Sequence, residues 1–174
     1  MNPLFIQYFS SPFGELVVGE YQQQLCLCDW RYRKMRTAID QRILTGMQAT
    51  FVEAATPLLT ETIRQLNAYF SQSSQTFDLP ILLVGTDFQK LVWQTLQKIP
   101  YGKTESYRTL AQMLHNEKAI RAVATANGAN ALAIIIPCHR IIGSNGKMVG
   151  YAGGLPTKQK LLQLESPKKQ YVLF

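Results

Sequence analysis

Residues 86–128 read TDFQKLVWQTLQKIPYGKTESYRTLAQMLHNEKAIRAVATANG, and the punctuation of this stretch decides the fold of the half of the chain that holds it. Thr86 and Gln89 match a capping box, a hydroxyl at the cap and an amide three residues on. Phe88, Leu91, Val92, Thr95, Leu96 and Ile99 then share one helical face, which Pro100 closes. Tyr101-Gly102 reads as a turn, and a second helix is expected from Ser106 to Leu114 with Tyr107, Leu110, Ala111 and Leu114 on one side. His115-Asn116 breaks that helix, and Asn116 is placed to cap a third one through Ala126.

Two short helices joined by a tight polar turn fit a helix-turn-helix unit, which usually offers its second helix to DNA. That second helix carries Arg121 with Ala122, Ala124 and Ala126 on its expected solvent side, so few groups could reach base edges in a major groove. Small residues allow close approach to a narrow groove while one arginine reaches further, which fits sequence-tolerant binding in the minor groove. Alanines are equally good helix formers beside a solvated arginine, and this segment alone leaves both readings open.

Downstream stands ALAIIIPCHRIIG, residues 131–143. Ala131 to Ile136 reads as a fully buried strand that Pro137 ends, placing Cys138 and His139 where strand gives way to turn. A lone cysteine among apolar neighbours is most often core. An adjacent His and Arg favour the thiolate, the nucleophilic form, which an ordinary thiol of pKa about 8.5 barely populates near neutrality. Residues adjacent in sequence point apart, so a water bridging Cys138 and His139 fits better than a direct bond. In the last helix, PTKQKLLQLE (156–165), Glu165 shares the face of Leu161 and Leu162. It also sits at the C-terminus, where the helix dipole disfavours an anion. A carboxylate placed against both tendencies either pairs with His139 or frays into solvent.

Upstream, the N-terminal third reads as strands. SSPFGELVVGEY (10–21) turns at Pro12 to Gly14, and LCLCDW (25–30) follows a polar turn at Gln22 to Gln24. Alternation puts Cys26 and Cys28 on one strand face as small buried hydrophobes. Helical spacing is expected from Phe51 to Phe70, through Leu58, Leu59, Ile63 and Leu66. SQSSQTFDLP (71–80) is then a linker. Residues 1–80 are expected to form a scaffold domain and residues 85–174 the domain that carries the chemistry.

The chain holds three cysteines and two histidines, too few for a disulfide framework, and neither a metal site nor a cofactor is expected. The opening MNPLFIQYF lacks the parts of a signal peptide, and no apolar run is long enough to span a bilayer, so a cytoplasmic protein with no membrane partner is expected. The net charge of +7 is unevenly placed. Up to Val84 six Lys or Arg face seven Asp or Glu; from Gly85 onward twelve face four. A basic half beside a neutral one is what attraction to a polyanion requires, and is also what a solubility surface looks like.

The segments GTDFQKLVWQTLQKIPYGKTESYRTLA (85–111), RAVATANGAN (121–130), IPCHRIIGSNGKMVGYAGGL (136–155) and KQKLLQLE (158–165) resemble, in this order, the O6-alkylguanine-DNA alkyltransferase family, also called methylated-DNA–protein-cysteine methyltransferases. The IPCHR core is highly specific. The N-terminal third resembles the family's ribonuclease-like domain more weakly. The resemblance implies an α/β fold, an N-terminal ribonuclease-H-like α/β domain followed by a mostly helical winged-helix-like domain with a helix-turn-helix. It implies Cys138 as alkyl acceptor, His139 as its base through water, Glu165 holding His139, and Tyr107 donating a proton to the purine ring. Arg121 would take the place of the flipped nucleotide, with Ala122 and Ala124 along the DNA. Asn130 would be a hinge, Tyr151, Ala152, Gly153 and Gly154 a loop closing the pocket, and Lys158 a neighbour of that loop.

The activity so implied is a suicide S-methyltransfer, one turnover per molecule. Its partner would be double-stranded DNA containing alkylated guanine or thymine, met by a monomer whose clustering along DNA stays open. Two departures from the family pattern stand out: Ala124 where most members have glycine, and Ala131 where a proline usually follows the hinge asparagine. Competing readings are a non-catalytic alkyl-lesion-binding helix-turn-helix protein, a kind that lacks this cysteine, a helix-turn-helix transcription factor, and a cysteine hydrolase. The tail SPKKQYVLF (166–174) gives no reading.

Overall fold

The computed structural model describes residues 1–169 and 171, so the end of the tail, 170 and 172–174, lies outside the described residues. The chain is a mixed α/β protein, as expected, in two compact units, Met1–Gly85 and Thr86–Phe174.

The first unit is built on strands β1 (Asn2–Ser11), β2 (Gly14–Tyr21) and β3 (Gln24–Trp30). Two tight turns make them a meander: β1 and β2 pair antiparallel up to Ser11 opposite Gly14, and β2 and β3 up to Tyr21 opposite Gln24. Gln22 and Gln23, at φ 49 and 62, close the second hairpin with both central residues left-handed, the geometry that matches strand twist. Helix α1 (Arg36–Met47) then returns the chain so that β4 (Ala49–Glu53) pairs parallel to β1, giving the sheet order β3-β2-β1-β4.

Two expectations fail here. The helix α1 carries almost no apolar stripe, burying only Ile39 and Ile43, so periodicity does not reveal it. Ion pairs anchor its start: Asp29, fully buried at the end of β3, takes Arg33 and Arg36, each at 2.9 Å. The helix expected from Phe51 is likewise a strand as far as Glu53. The true helix, α2 (Pro57–Phe70), starts at a Thr56 cap whose hydroxyl accepts from the Leu59 amide at 3.1 Å, with proline in its first turn. Cys26 and Cys28 are buried in the core as expected; burial pushes the Cys26 thiol up to about 12 and Cys28 higher still, which disfavours the thiolate at both. The end of the linker adds to the sheet edge, Leu25 donating to Pro80 O at 2.7 Å and Leu82 to Leu25 O at 2.8 Å.

The second unit is mostly helical. The capping box at Thr86 is present, both hydrogen bonds made, and opens α3 (Asp87–Leu96). Its buried face is turned relative to expectation: Trp93 is in the core and Leu91 is 48% exposed. The reason is a polar anchor invisible to hydrophobic spacing, the Trp93 indole N–H donating to Ala126 O at 2.8 Å. A short strand β5 (Glu105–Ser106) leads into α4 (Tyr107–Met113), capped by the Ser106 hydroxyl. The helix ends with His115 at φ 53; Asn116 N reaches Ala111 O and His115 N reaches Gln112 O, a Schellman motif. Asn116 therefore finishes α4 and makes no side-chain cap for the next helix, contrary to expectation. A 3₁₀ turn at Glu117–Ala119 intervenes before α5 (Ile120–Gly128). After a second 3₁₀ turn, Cys138–Arg140, comes β6 (Ile141–Ile142), parallel to β5, and the last helix is α6 (Leu155–Glu165). Among the described residues no helix is long and apolar enough to cross a membrane.

Candidate active site

Residues 131–134 and 136 are buried as expected and Ile135 is half-buried, but the segment forms a tight turn instead of a strand. An apolar run without alternation fixes burial and leaves backbone geometry undecided. Here Asn130 decides it. Its Nδ2 donates to Ile136 O and its Oδ1 accepts from Leu132 N, both at 2.9 Å, so one side chain satisfies the backbone groups a strand partner would have taken. The turn forces Ile134 to φ 72, a left-handed conformation unfavourable for a β-branched residue and held only because its surroundings determine it. Pro137 ends the turn, and Cys138–Arg140 wind as one 3₁₀ turn with Cys138, His139 and Arg140 all buried.

His139, fully buried, puts Nε2 at 2.7 Å from Glu165 Oε1. Glu165 sits at the last position of α6, against the dipole, because three more donors meet it there. Arg140 donates through Nε to Oε2 at 2.9 Å and through Nη2 to Oε1 at 3.0 Å, and Gly102 N donates to Oε2 at 3.3 Å. Gly102, at φ 74, passes so close that a Cβ would lie 3.0 Å from Glu165 O, which restricts the position to glycine. Burial pushes Glu165 up, but the His139 and Arg140 charges and hydrogen bonds outweigh it and hold the carboxyl well below its usual range. His139 moves down, because burial disfavours the imidazolium more than Glu165 stabilises it. The ring is thus neutral at neutral pH. Its Nε2 is engaged by an anion and so carries the proton, while Nδ1 is buried with no protein hydrogen-bond partner. In that state Nδ1 has an unused lone pair that can accept a proton.

The loop before α6 is held by a second cation. Lys158 is fully buried, and its ammonium donates to Ile141 O and, at 3.3 Å each, to Val149 O and Gly150 O. Burial lowers it to about 8 while the Cys138 sulfur pulls it back up, so the two lie within electrostatic reach. Tyr107, first residue of α4, donates its hydroxyl to the same Val149 O at 3.2 Å, and burial and Cys138 both raise its pKa. Tyr151 presents its ring edge-on to His139, 6.5 Å between centroids, and the turn Tyr151 to Gly154 ends on Gly154 at φ 88, a conformation for glycine that opens α6. Ala152 and Gly153 lie within that turn, half-buried.

The structure therefore brings Cys138, His139, Glu165, Tyr107, Lys158 and Tyr151 around one centre, with Asn130 shaping the turn behind it. Arg121, Ala122 and Ala124 stand apart on α5, the first two exposed and the third half-buried. Ala126, expected on the same solvent face, is instead buried under Trp93. Thr125 and Gly128 are exposed in its place. Sequence reasoning took Arg140 only as a cation favouring the Cys138 thiolate, whereas its long guanidinium reaches Glu165 and Ile99 O at distances no spacing rule foretells, and it read Gly102 only as a turn. No group of metal-ligating side chains is found among the described residues.

Two family models cover the chain: the ribonuclease-like domain of 6-O-methylguanine DNA methyltransferase matches residues 4–83 and the DNA-binding domain of the same family matches 87–167. The methylated-DNA–protein-cysteine methyltransferase of Methanosarcina barkeri is 42% identical over 162 residues, 93% of this chain and 97% of its own length. The crystal structure of Mycobacterium tuberculosis O6-methylguanine methyltransferase superposes with a TM-score of 0.80 at 36% identity, covering 95% of this chain and 94% of that one. Mycobacterium tuberculosis OGT in complex with DNA gives the same TM-score at 37% identity, with 95% of each chain covered. With one family matched by both halves of the sequence, and with relatives matched over nearly their whole length, the chain belongs to the 6-O-methylguanine DNA methyltransferase family.

Proposed function

We propose that this chain repairs double-stranded DNA by moving the methyl group of O6-methylguanine onto Cys138, once per molecule. The observation that carries the proposal is the buried His139–Glu165 pair, 2.7 Å apart, in which a neutral ring next in sequence to the only cysteine outside the scaffold keeps one nitrogen ready to accept a proton.

An alkyl carbon on a base oxygen has no carbonyl to polarise, so the reaction is direct displacement by a soft nucleophile, and thiolate suits it best. The Cys138 thiol gives its proton to His139 Nδ1 through a water, as Glu165 takes up the developing imidazolium charge. The sulfur lone pair forms the S–C bond while the C–O pair leaves on the guanine. Tyr107 protonates a ring nitrogen of the leaving base, which would otherwise depart as an anion, and the phenolate regains a proton from the imidazolium through solvent. The net change moves one methyl to sulfur and one proton to guanine. A thioether does not hydrolyse, which ends the cycle.

The target lies inside the stack, and extruding it costs a few kcal/mol, less for a poorly paired lesion. In this reading Arg121 fills the gap, with Ala122 and Ala124 close to the backbone. Asn130 couples α5 to the turn carrying Cys138, and the loop Tyr151 to Gly154 closes over the base with Lys158 behind it. O4-alkylthymine presents the same alkyl–oxygen bond and is the second substrate. Residues 1–80 serve as scaffold and 85–174 bind DNA and react. The test is label transfer from duplex carrying radiolabelled O6-methylguanine. Label is expected on the parental chain and absent from Cys138→Ser; a Cys138→Ser chain that clears lesions at the parental rate refutes the proposal.

A further inference from the structure

Arg140 shares one 3₁₀ turn with Cys138 and His139, and a cation next to a nucleophile ordinarily acts on the sulfur. The structure turns it elsewhere. Arg140 is 8% exposed, and each of its three side-chain nitrogens has an acceptor away from Cys138. Nε donates to Glu165 Oε2 at 2.9 Å, Nη2 to Glu165 Oε1 at 3.0 Å and Nη1 to Ile99 O at 2.6 Å. The Tyr101 ring lies against the same group, its centroid 5.7 Å from the guanidinium carbon. A fork, a carbonyl and an aromatic face thus fix one side chain.

What Arg140 takes hold of is the partner of the base. Glu165 Oε1 accepts from Arg140 Nη2 and meets His139 Nε2 at 2.7 Å, so arginine and imidazole divide one carboxylate oxygen. A buried carboxylate with only a ring beside it favours the imidazolium, and an imidazolium accepts nothing from a thiol. Arg140 opposes that protonation in two ways: its fork occupies the carboxylate, and its own charge repels a second positive charge nearby. The other titratable groups around the ring are Cys138 on its own turn, Lys158 on α6 and Tyr151 in the loop before α6. Burial holds His139 down most, Glu165 raises it, and Arg140 and then Lys158 lower it. Lys158 is engaged with Ile141 O, Val149 O and Gly150 O, which leaves Arg140 as the cation bonded to the carboxylate itself.

We infer that Arg140 is a positioning residue for the base: by sharing Glu165 with His139, it lets the carboxylate orient the ring while the ring stays neutral and able to accept a proton. Arg140 also keeps Glu165 ionised, so the Nε2 proton remains on the ring and Nδ1 alone gains one when Cys138 ionises. This role rests on the function proposed above.

Two readouts test it. Ring-nitrogen chemical shifts report protonation and tautomer, and the one other histidine, His115, is exposed and is assigned with His115→Gln. Single-turnover transfer at saturating methylated duplex is followed against pH. Arg140→Gln removes the charge and keeps an amide, whereas Arg140→Lys keeps the charge. Arg140→Gln is expected to move the midpoint of His139 protonation upward by about one pH unit, and the acid limb of transfer with it. Below both midpoints its transfer is then about ten-fold slower than the parent's, and the gap closes as pH rises. Arg140→Lys is expected to keep the parental midpoint. An unmoved midpoint in Arg140→Gln, an equal shift in Arg140→Lys, or slowing by one factor at every pH overturns the role, the last being what simple misplacement produces. If Arg140→Gln does not fold, Arg140→Lys and the parental chain decide: an imidazolium at about pH 7 in either overturns the role, and a neutral ring with its proton on Nε2 supports it. A parental chain that places no methyl on Cys138 overturns the proposed function and this role together, whereas an active parent with an unmoved midpoint in Arg140→Gln overturns this role alone.

Discussion

Glu165 is where the site stores most of its electrostatics. One carboxylate accepts from His139, from two nitrogens of Arg140 and from Gly102 N, all in a buried setting. Removing its charge leaves Arg140 uncompensated and the imidazolium unsupported. Glu165→Gln is therefore expected to destabilise the protein by about 3 kcal/mol in denaturant titration, the cost typical of breaking a buried pair. It should also slow methyl transfer by about 10²-fold. Tyr107→Phe, which spares that cluster, should slow transfer by about 10²-fold while leaving DNA affinity and stability within measurement error; the reverse pattern would make Tyr107 a DNA contact only. At this scale the sequence was readable where a tendency was violated. Glu165 faced inward at the wrong end of a helix, and that contradiction raised His139 as a partner beside the alternative of fraying into solvent. Arg140 broke no such rule. Its part comes from long-range approach to Glu165 and Ile99 O, which spacing along the chain does not encode.

Elements were legible in proportion to how much of their folding is local. The capping box at Thr86, the start of the second helix at Ser106 and the break at His115 are local events, and the structure contains all three. Helix α1 owes its place to a buried aspartate with two arginines, and β4 to pairing with β1, so neither could be read from its own residues. The run 131–136 was legible as buried but not as a turn, because its geometry depends on the Asn130 side chain. Asn130→Ala would orphan Ile136 O and Leu132 N together, and is expected to cost about 3 kcal/mol and to slow transfer by misplacing Cys138; unchanged stability would mean the turn holds itself. On α5, Arg121→Ala is expected to slow repair of duplex DNA more than reaction with the free methylated base, because extrusion is the step proposed for it. Equal slowing on both would assign Arg121 elsewhere.

For the whole molecule, charge and protonation set the conditions under which it works. The cationic excess after Gly85, twelve against four, predicts that duplex affinity falls steeply and linearly on a log–log plot against salt. Stability should fall on acidification. Burial keeps His139 below its ordinary 6.5, so the unfolded chain binds a proton the folded one refuses, and stability present above 6.5 drains away below it. Glu165, held below its ordinary 4.5, adds a further loss once pH falls under that value, and both effects have the same sign. A stability curve flat from about pH 7 to about pH 4 would contradict the neutral buried base. The central claim, that one sulfur takes one methyl and keeps it, is tested most directly by intact mass and peptide mapping after incubation with excess methylated duplex. The expected result is a single methyl per chain, on the peptide containing Cys138, with no further gain over time. Repeated turnover without modification, or a methyl found on Cys26 or Cys28 instead, would contradict it.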